Sequence, residues 1–529
     1  MRLRVVAYAI NGRGLGHLTR QLALLRWIRR LCAMLDVGLE AWVLTSSEAD
    51  TLARREGFPA LKIPSKAMLR DAGMEPAHLL GVARAWVLNT VATLQPDLLL
   101  VDTFPGGSFG ELGPVLEMAR RRVLIARPVR PEVAADPAYN SWMGMYDRVI
   151  VPDDQGLGPV LIREREELLP RAAARQALGL RGRAVYVTTG GGGDPAAPSL
   201  LPYLVGRMRA RGWEVVVGAG PLYQGPEIRG EGIVWLDRYT PVELYPGLDA
   251  AVSAGGYNSV YELLYAGVPT VFLPQPRLAD DQAARVDRVV AAGAGRRARH
   301  LDEVADLLDD PGSPEAARAV VPHNGAAEVA ARALSLALPP DDVAWARKAS
   351  SPALLGLLHR HGLSAAQGLD LLRLLAGLAP SERATRRRVL EEAGHPDKGG
   401  GGGALDRLDG LLQEAHDLPS DILLHLLTGL QRRFPAARPS EVLDAATRLL
   451  PGWRTLAGTP PDWMGPVSLL RALPTQRQYP IRDFAPIYAQ WLSGLDDPYD
   501  GLRAFSALEG NGRRPVPEVL ALLTRPGGP

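Results

Sequence analysis

The strongest constraint on this chain is an alternation, repeated twice, of short β-branched runs with longer stretches whose apolar residues recur every three or four positions. Strands joined by helices need crossover connections, so the alternation predicts parallel sheets that helices cover on both faces. The pattern restarts near Arg183, and ten strands are many for one sheet, so we predict two sheets. The predicted strands are residues 3–9, 39–44, 98–102, 123–126 and 148–151 in the first series, and 184–188, 214–217, 233–236, 250–252 and 270–273 in the second.

From about residue 340 onward, the strand pattern stops. Apolar spacings of three and four, with helix-capping residues at the start of each stretch, predict an all-α region that a glycine run at 399–403 interrupts. The predicted architecture is therefore α/β in its first part. Two Rossmann-like domains occupy 1–160 and 161–338, and a helical region of unassigned role occupies 339–529, which together suit a chain of 529 residues.

Composition excludes several classes of protein. The formal net charge is only +2, which gives no support for nucleic-acid binding. The single cysteine, Cys32, excludes an intrachain disulfide and a metal site built from several cysteines. No run of 18 apolar residues predicts a membrane-spanning helix, and the opening residues do not form a signal peptide, so we expect a cytoplasmic protein.

The first glycine-rich loop, "NGRGLGHLTR" at 11–20, follows the first predicted strand. Its glycines, Gly12, Gly14 and Gly16, are spaced by two, which departs from the dinucleotide fingerprint, and the next strand ends without an acid for a ribose. The loop also lacks the lysine of a P-loop. Two interpretations remain: the following helix receives an anion at its free N–H groups, or the glycines only relieve steric crowding in a tight turn.

A second loop, "YVTTGGGGDP" at 186–195, follows the first strand of the second series. Gly190 and Gly191 would let the backbone approach a phosphate, although a simple turn is the alternative. Ligands of open α/β sheets bind beyond the carboxyl ends of the strands. Two sheets that face each other would therefore place both glycine loops on one cleft.

A third stretch, "DAAVSAGGYNSVYELLYAGVPTVFLPQPRLADDQ" at 249–282, carries the most specific signal. Gly255 and Gly256 form a turn after a strand, a helix begins at residues 257–259, and Glu262 follows on its first turns. This spacing resembles the donor-nucleotide signature of GT-B glycosyltransferases. It is close to the lipid II-forming GlcNAc transferases (family 28 type) and to the UDP-glycosyltransferases. The resemblance covers about residues 1–335.

The resemblance implies an inverting glycosyltransferase with two facing Rossmann-like domains, which moves a sugar from a UDP-sugar to an acceptor hydroxyl without a metal or another cofactor. The acceptor stays open. Two alternatives remain: a nucleotide-sugar 2-epimerase, and a non-catalytic GT-B protein that binds a nucleotide-sugar and acts through its helical region. An epimerase would need several acids and a histidine around the sugar, and the sequence does not indicate such a set.

The resemblance also assigns roles on the donor side. The helix N-terminus would hold the pyrophosphate with its N–H groups and positive dipole end, Glu262 would bind the ribose hydroxyls, and Asp281 and Gln282 would bind the sugar. A solvated glutamate and a helix N-cap are the plain alternatives for Glu262 and Asp281. The full donor-binding set is Gly14, Gly16, Gly190, Gly191, Gly255, Gly256, Asn258, Ser259, Glu262, Asp281 and Gln282. Two departures, Ala254 for a frequent histidine and Arg285 for an asparagine, leave the sugar contacts uncertain.

A catalytic pair follows from the same resemblance. The "GLGH" at 14–17 resembles the acceptor-side loop of the superfamily, whose end often carries a histidine or an acid that deprotonates the attacking hydroxyl. Asp102 ends a strand predicted to lie in the same sheet. A carboxylate bonded to one ring nitrogen fixes the tautomer and raises the basicity of the other nitrogen. We therefore predict His17 as the base and Asp102 as its orienting partner, with Asp102 as the base or as a turn cap as alternatives.

The helical region contains one further motif. Residues 385–421, with His395-Pro396-Asp397 between a basic stretch and a second helix, weakly resemble a J-domain, which would imply a chaperone partner. The aromatic residues usual around such a loop are missing, and we favour a plain proline-containing loop between capped helices. Residues 339–529 then form an interaction or regulatory module with a possible protein partner.

Overall fold

The computed structural model describes residues 2–10, 14–35, 37–75, 80–108, 110–127, 131–152, 155–236, 238–275, 281–349, 404–415, 427, 443–448 and 450. The chain divides into two compact units, Met1–Lys348 and Ala349–Pro529. Within the second unit, the described residues include the helix α16 (Ala404–Glu414), whose Arg407 forms an ion pair with Asp444 in the helical residues 443–448. The His395-Pro396-Asp397 motif lies outside the described residues.

The first unit contains two parallel six-stranded sheets. The first has the strand order β3-β2-β1-β4-β5-β6 and the second has the order β12-β11-β10-β7-β8-β9. The strands are β1 (Arg2–Ala9), β2 (Gly38–Thr45), β3 (Ala60–Lys62), β4 (Leu98–Asp102), β5 (Arg122–Ile125), β6 (Arg148–Ile150), β7 (Ala184–Thr188), β8 (Glu214–Gly218), β9 (Ile233–Trp235), β10 (Ala250–Ser253), β11 (Thr270–Phe272) and β12 (Gly295–Arg297).

Helices cover both sheets. Those of the first unit are α1 (Gly16–Met34), α2 (Thr51–Arg55), α3 (Lys66–Asp71), α4 (Leu80–Leu94), α5 (Gly113–Leu116), α6 (Pro131–Ala134), α7 (Pro137–Met143), α8 (Arg171–Leu178), α9 (Ala197–Ala210), α10 (Tyr257–Ala266), α11 (Gln282–Ala291), α12 (Val304–Leu307), α13 (Pro314–Val320), α14 (Ala326–Leu334) and α15 (Pro340–Ala349). Short 3₁₀ turns lie at Arg165–Glu167, Pro241–Gly247 and Leu301–Glu303.

Buried apolar side chains explain why these strands form central sheets. β4 is buried along its whole length and packs with Val87 and Val91 of α4, and β7 and β8 pack with Leu201 and Leu204 of α9 in the same way. Strands buried on both faces are near-continuous apolar runs, and these runs identified them in the sequence. All ten predicted strands are present, to within one or two residues at their ends.

Two strands, β3 and β12, were missed. Each has three residues and lies at an outer edge of its sheet, and β12 carries two arginines. Edge strands are often short and charged, because these features discourage pairing with other chains. They therefore lack the apolar pattern that identifies a central strand in the sequence.

The topology places the predicted glycine-rich loops at the switch points of the two sheets, where the strand order reverses. In the first sheet the strand order reverses between β1 and β4, and in the second it reverses between β7 and β10. Crevices beyond the carboxyl ends of strands at such switch points are where open α/β sheets bind ligands. The loops that follow these four strands carry His17, the residues after Asp102, Gly190 and Gly256.

The two sheets are tied together by the last helices of the unit. α14 follows the second sheet in sequence yet packs against α1 of the first. Arg148 in β6 donates to the Arg332 carbonyl oxygen at 2.6 Å, and Arg121 donates to the Leu336 carbonyl oxygen at 3.2 Å. The chain therefore returns to the first sheet, which fixes how the two sheets face each other.

Candidate active site

A cleft of about 470 Å³ separates the carboxyl ends of the two sheets. It lies within the size range of small-molecule sites. The opposing loops approach closely, because a Cβ built on Gly16 would lie 3.9 Å from Asn258 Oδ1, and one built on Gly191 would lie 3.5 Å from Leu15 Cγ. The glycine loops therefore converge on one cleft, as the sequence predicts.

On the wall formed by the first sheet, His17 lies in the first turn of α1 and lines the cleft. Its side chain is about 5% exposed, and its Nδ1 donates a hydrogen bond to Oδ1 of Asp102, the last residue of β4. The ring also lies 5.4 Å from that of Phe104, between centroids. With Nδ1 committed to the carboxylate, the nitrogen left to accept a proton is Nε2.

The electrostatics keep this pair in the form that a general base requires. Burial alone would raise the pKa of Asp102, but the Arg20 guanidinium and the His17 ring outweigh it and hold that pKa well below its usual range. Burial lowers the pKa of His17, Asp102 opposes that shift, and the cations Arg127 and Arg20 reinforce it. At neutral pH the arrangement is thus an ionised carboxylate beside a neutral imidazole, which can accept a proton.

On the opposite wall, α10 points its N-terminus at the cleft. Gly256 is its N-cap and has no side chain to cap the helix, so the first turn can present backbone N–H groups to a bound anion. Two side-chain oxygens nearby, Asn258 Oδ1 and Thr189 Oγ1, are buried and lack a hydrogen-bond partner among the described residues. Ser259 lines the same part of the cleft. These two orphan oxygens and the positive end of the helix dipole together suit an anionic, hydroxyl-bearing ligand.

Glu262 lies deeper in the cleft, on the second turn of α10. It is about 7% exposed, and burial raises its pKa to about 8. Its electrostatic neighbours include Tyr186 and Tyr245, whose rings lie 5.1 Å apart between centroids. Glu262 is therefore not a solvated surface glutamate, which was the plain alternative, because its carboxyl group is buried within the cleft.

The loop after β7 depends on glycine for steric reasons. Gly192 has a φ of +82°, and a Cβ there would lie 2.3 Å from the carbonyl oxygen of Ala219. The loops after β7 and β8 are therefore packed backbone against backbone beneath the cleft. Gly192 lines the cleft together with Gly190 and Gly191, and its lack of a Cβ is also required by the packing of the loop.

We expect Gly192→Ala to lower the free energy of unfolding by about 1–3 kcal/mol, because the substitution adds both a strained φ and a clash. The matched control is Gly206→Ala in the interior of α9, where a Cβ meets nothing within 4 Å. That change should raise the free energy of unfolding by up to about 1 kcal/mol. Chemical denaturation of both variants measures the difference, and equal effects would contradict the role given to Gly192.

The remaining predicted donor residues fall in two groups. Gly14 and Gln282 line the cleft, and Gln282 Oε1 accepts from the backbone N–H of Gln275 at 3.0 Å. Gly255 and Asp281 do not line it. Gly255 allows α10 and α11 to approach, since a Cβ there would lie 3.0 Å from Gln282 Cβ, and Asp281 caps α11 by accepting from the Ala284 N–H at 3.0 Å. Gly12 lies outside the described residues.

Several cleft residues were not found from the sequence. Arg20, Phe104, Arg127, Arg238, Tyr239 and Tyr257 all line the cleft. Arg20 had a usable signal, because a spacing of three puts it on the same helix face as His17. Tyr239 had none, since its hydrogen bond to Thr51 at 2.6 Å joins residues far apart in the chain. Arg285 is buried and donates to the Gly255 carbonyl oxygen at 2.8 Å, so it supports the turn before α10.

Within the described part of the chain, no group of three or more His, Cys, Asp or Glu side chains is placed to hold a metal ion. No described helix is both long and apolar enough to cross a bilayer.

Fold and site together define a GT-B glycosyltransferase, in which two Rossmann-like sheets face each other across a cleft. The N-acetylglucosamine transferase of Clavibacter sepedonicus, named UDP-N-acetylglucosamine--N-acetylmuramyl-(pentapeptide) pyrophosphoryl-undecaprenol N-acetylglucosamine transferase, is 32% identical over 325 residues, which cover 57% of this chain and 72% of that protein. The chain belongs to the family of these transferases. The enzyme of the same name from Clavibacter michiganensis subsp. michiganensis is 29% identical over the same shares.

Spinosyn rhamnosyltransferase SpnG is 18% identical, with a TM-score of 0.44, and the match covers 62% of this chain and 99% of that structure. MurG of Acinetobacter baumannii is 15% identical, with a TM-score of 0.40, over 62% and 98%. No profile of a known protein family matches the sequence.

Proposed function

We propose that the chain is an inverting transferase that moves a hexose from a UDP-sugar to the hydroxyl of a lipid-carried acceptor. UDP-N-acetylglucosamine is the first donor to test, because the Clavibacter relatives are named for it. The observation that carries the proposal is the apposition, across one cleft, of His17 on the first sheet and the uncapped N-terminus of α10 on the second.

Chemical roles follow from that apposition. The N–H groups at the start of α10 bind the diphosphate and stabilise it as the leaving group, while the carboxylate of Glu262 accepts hydrogen bonds from the ribose hydroxyls. His17 Nε2 removes the proton of the attacking hydroxyl from the other side of the cleft. Attack from the side opposite the leaving group inverts the anomeric centre.

Two features favour turnover over mere binding. The His17–Asp102 pair is buried and polarised as a base, which a binding protein would not require. His17 also lines the same cleft as the start of α10, which supports its role as a base that faces the leaving group. We therefore rank the transferase above a nucleotide-sugar sensor and above an epimerase.

Surface chemistry supports a lipid-carried acceptor. The exposed apolar side chains of the first sheet's helices include Met68 on α3, Met74 just after it, and Val82 and Trp86 on α4. Val82 and Trp86 are four residues apart and share one exposed face of α4. Exposed apolar side chains of this kind suit a surface that meets lipid chains.

Thermal denaturation with nucleotides tests the donor. We expect UDP to raise the melting temperature more than dTDP, GDP or ADP, and UMP, which lacks the second phosphate, to act weakly. A ligand at 100 times its Kd stabilises the folded state by about 2.7 kcal/mol. No shift with any diphosphate would overturn the donor site.

A product assay tests the transfer itself. With UDP-N-acetylglucosamine and a lipid-linked muramyl pyrophosphate, UDP release should depend on the acceptor, and the new glycosidic bond should have the inverted configuration by NMR. Conversion of the donor to its 2-epimer without an acceptor would identify an epimerase. Binding with neither product would identify a sensor.

A further inference from the structure

Arg20 occupies an unusual position behind the candidate base. It lies one turn after His17 on α1 and is about 3% exposed. Its Nε donates to Oδ2 of Asp102 at 2.9 Å, and its Nη2 donates to Oδ1 of the same carboxylate. The contact is thus two-pronged, which fixes both the position and the plane of the carboxylate.

Thr103 completes this arrangement. Arg20 Nη2 also lies 2.8 Å from Thr103 Oγ1, and that hydroxyl donates to Asp102 Oδ1 at 2.7 Å. Thr103 has a φ of +62°, a conformation that costs energy for a residue branched at Cβ. Both oxygens of Asp102 therefore have fixed partners, and the carboxylate cannot rotate away from His17.

The guanidinium of Arg20 also contacts a residue of the opposite wall of the cleft. Its central carbon lies 5.1 Å from the ring centroid of Tyr257, the first residue of α10, and Arg285 approaches the same ring at 5.4 Å. A cation at this distance from an aromatic ring is attracted to it. Arg20 thus contacts both the base assembly and the start of the donor helix.

We propose that Arg20 is a positioning residue of the transferase, which holds the Asp102 carboxylate in the orientation that keeps the proton of His17 on Nδ1 and Nε2 open to the acceptor. The proposal rests on the role of His17 as the base. The proposal also includes the contact with Tyr257, through which Arg20 fixes the position of His17 and Asp102 relative to the N-terminus of α10.

The charges around His17 fix the sign of the expected effects. The charged groups that act on the ring are Asp102 at the end of β4, Arg20 on its own helix and Arg127 after β5, with Phe104 as the aromatic neighbour. Removing the Arg20 cation leaves one positive charge fewer near the pair. The pair should then keep its extra proton up to a higher pH.

NMR of ¹⁵N-histidine-labelled full-length protein tests the positioning directly, and His17→Gln assigns the signal. In the wild type we expect a neutral ring with the proton on Nδ1. In Arg20→Met the ring should titrate at a higher pH and populate both tautomers. Arg30→Met, which removes another arginine of α1 outside the cleft, is the matched control and should leave the His17 signal unchanged.

Measurements of turnover distinguish the effect of the charge of Arg20 from the effect of its planar, two-pronged geometry. Arg20→Met should lower kcat by about 10²-fold, the scale of a misplaced catalytic group, with little change in KM for the donor. Arg20→Lys keeps the charge but loses the planar fork, so its kcat should also fall while the titration stays near that of the wild type. In a double-mutant cycle, Arg20→Met and Tyr257→Leu should lower kcat by less together than the product of their separate effects.

Two results would overturn the proposal: an unchanged His17 tautomer and titration in folded Arg20→Met, or wild-type kcat in Arg20→Lys. If Arg20→Met does not fold, Arg20→Lys decides alone. The NMR result stands independently of any acceptor, so an inactive wild-type protein would count against the proposed function and not against the role of Arg20.

Discussion

His17→Ala should lower kcat by about 10²–10⁴-fold while the affinity for UDP stays within a few-fold of the wild type. General-base assistance contributes an acceleration of this size, and the variant removes the base without touching the donor wall. His17 reaches the cleft from the first sheet, whereas the groups proposed to hold the nucleotide lie on the second. Initial rates of UDP release with saturating acceptor, together with calorimetric titration of UDP, measure the two quantities.

Asp102→Asn is the companion variant, because it keeps the shape of the side chain and removes its charge. The amide can present its NH₂ group to Nδ1, which would move the ring proton to Nε2 and block the base. We expect a loss of the same order as for His17→Ala, and no further loss when the two changes are combined. His300→Ala, an exposed histidine outside the cleft, is the control. Unaltered turnover in His17→Ala would remove the residue from the mechanism.

The glycine turns are the part of the site that the sequence alone predicts best. Local rules suffice there: a buried strand, a residue that tolerates positive φ and a helix start are neighbours in the chain, so β7, Gly190 and the turn before α10 were all predicted. Gly267 ends α10 by a local rule of the same kind, since its φ of +77° forms a left-handed cap. The pairing of His17 with Asp102 needed the additional premise that both strands lie in one sheet.

What the sequence did not show depends on contacts between distant segments. The two-pronged contact of Arg20 depends on the orientation of α1 over the end of β4, which no local pattern encodes. The orphan oxygens of Thr189 and Asn258 become visible only when burial is known. Asp281 shows the reverse problem, because an acid before a helix predicts a cap and a sugar ligand equally well, and the structure places it as the cap.

Glu262→Gln should weaken UDP binding by about 10–100-fold, because hydrogen bonds to a charged acceptor contribute about 1.5–3 kcal/mol. The ribose assignment makes a sharper statement. Wild-type protein should bind UDP more tightly than 2′-deoxy-UDP, and this preference should shrink in Glu262→Gln. Calorimetric titration of both nucleotides against both proteins gives the coupling. An equal preference in the two proteins would show that Glu262 does not contact the ribose.

The same substitution should stabilise the empty protein, with a pH dependence of defined sign. Burial raises the pKa of Glu262 to about 8 from a usual value of 4.5, so the folded state holds a proton that the unfolded state releases between those values. Stability is therefore lost as the pH rises through this interval, at up to about 1.4 kcal/mol per unit. A glutamine escapes that loss, so Glu262→Gln should match the wild type near pH 5 and exceed it in melting temperature above pH 8.

Nucleotide binding couples to the same proton. Ribose hydroxyls donate to the ionised carboxylate, so UDP must displace the proton of Glu262, and the affinity of the wild type should rise from about pH 7 to about pH 8.5. Glu262→Gln should lack this rise. Glu231→Gln, an exposed loop glutamate, is the matched control for the loss of one negative charge and should follow the wild type in both experiments. A variant that loses affinity without gaining stability at high pH would mean that the carboxyl group is already ionised in the empty cleft, held by a cation or by water.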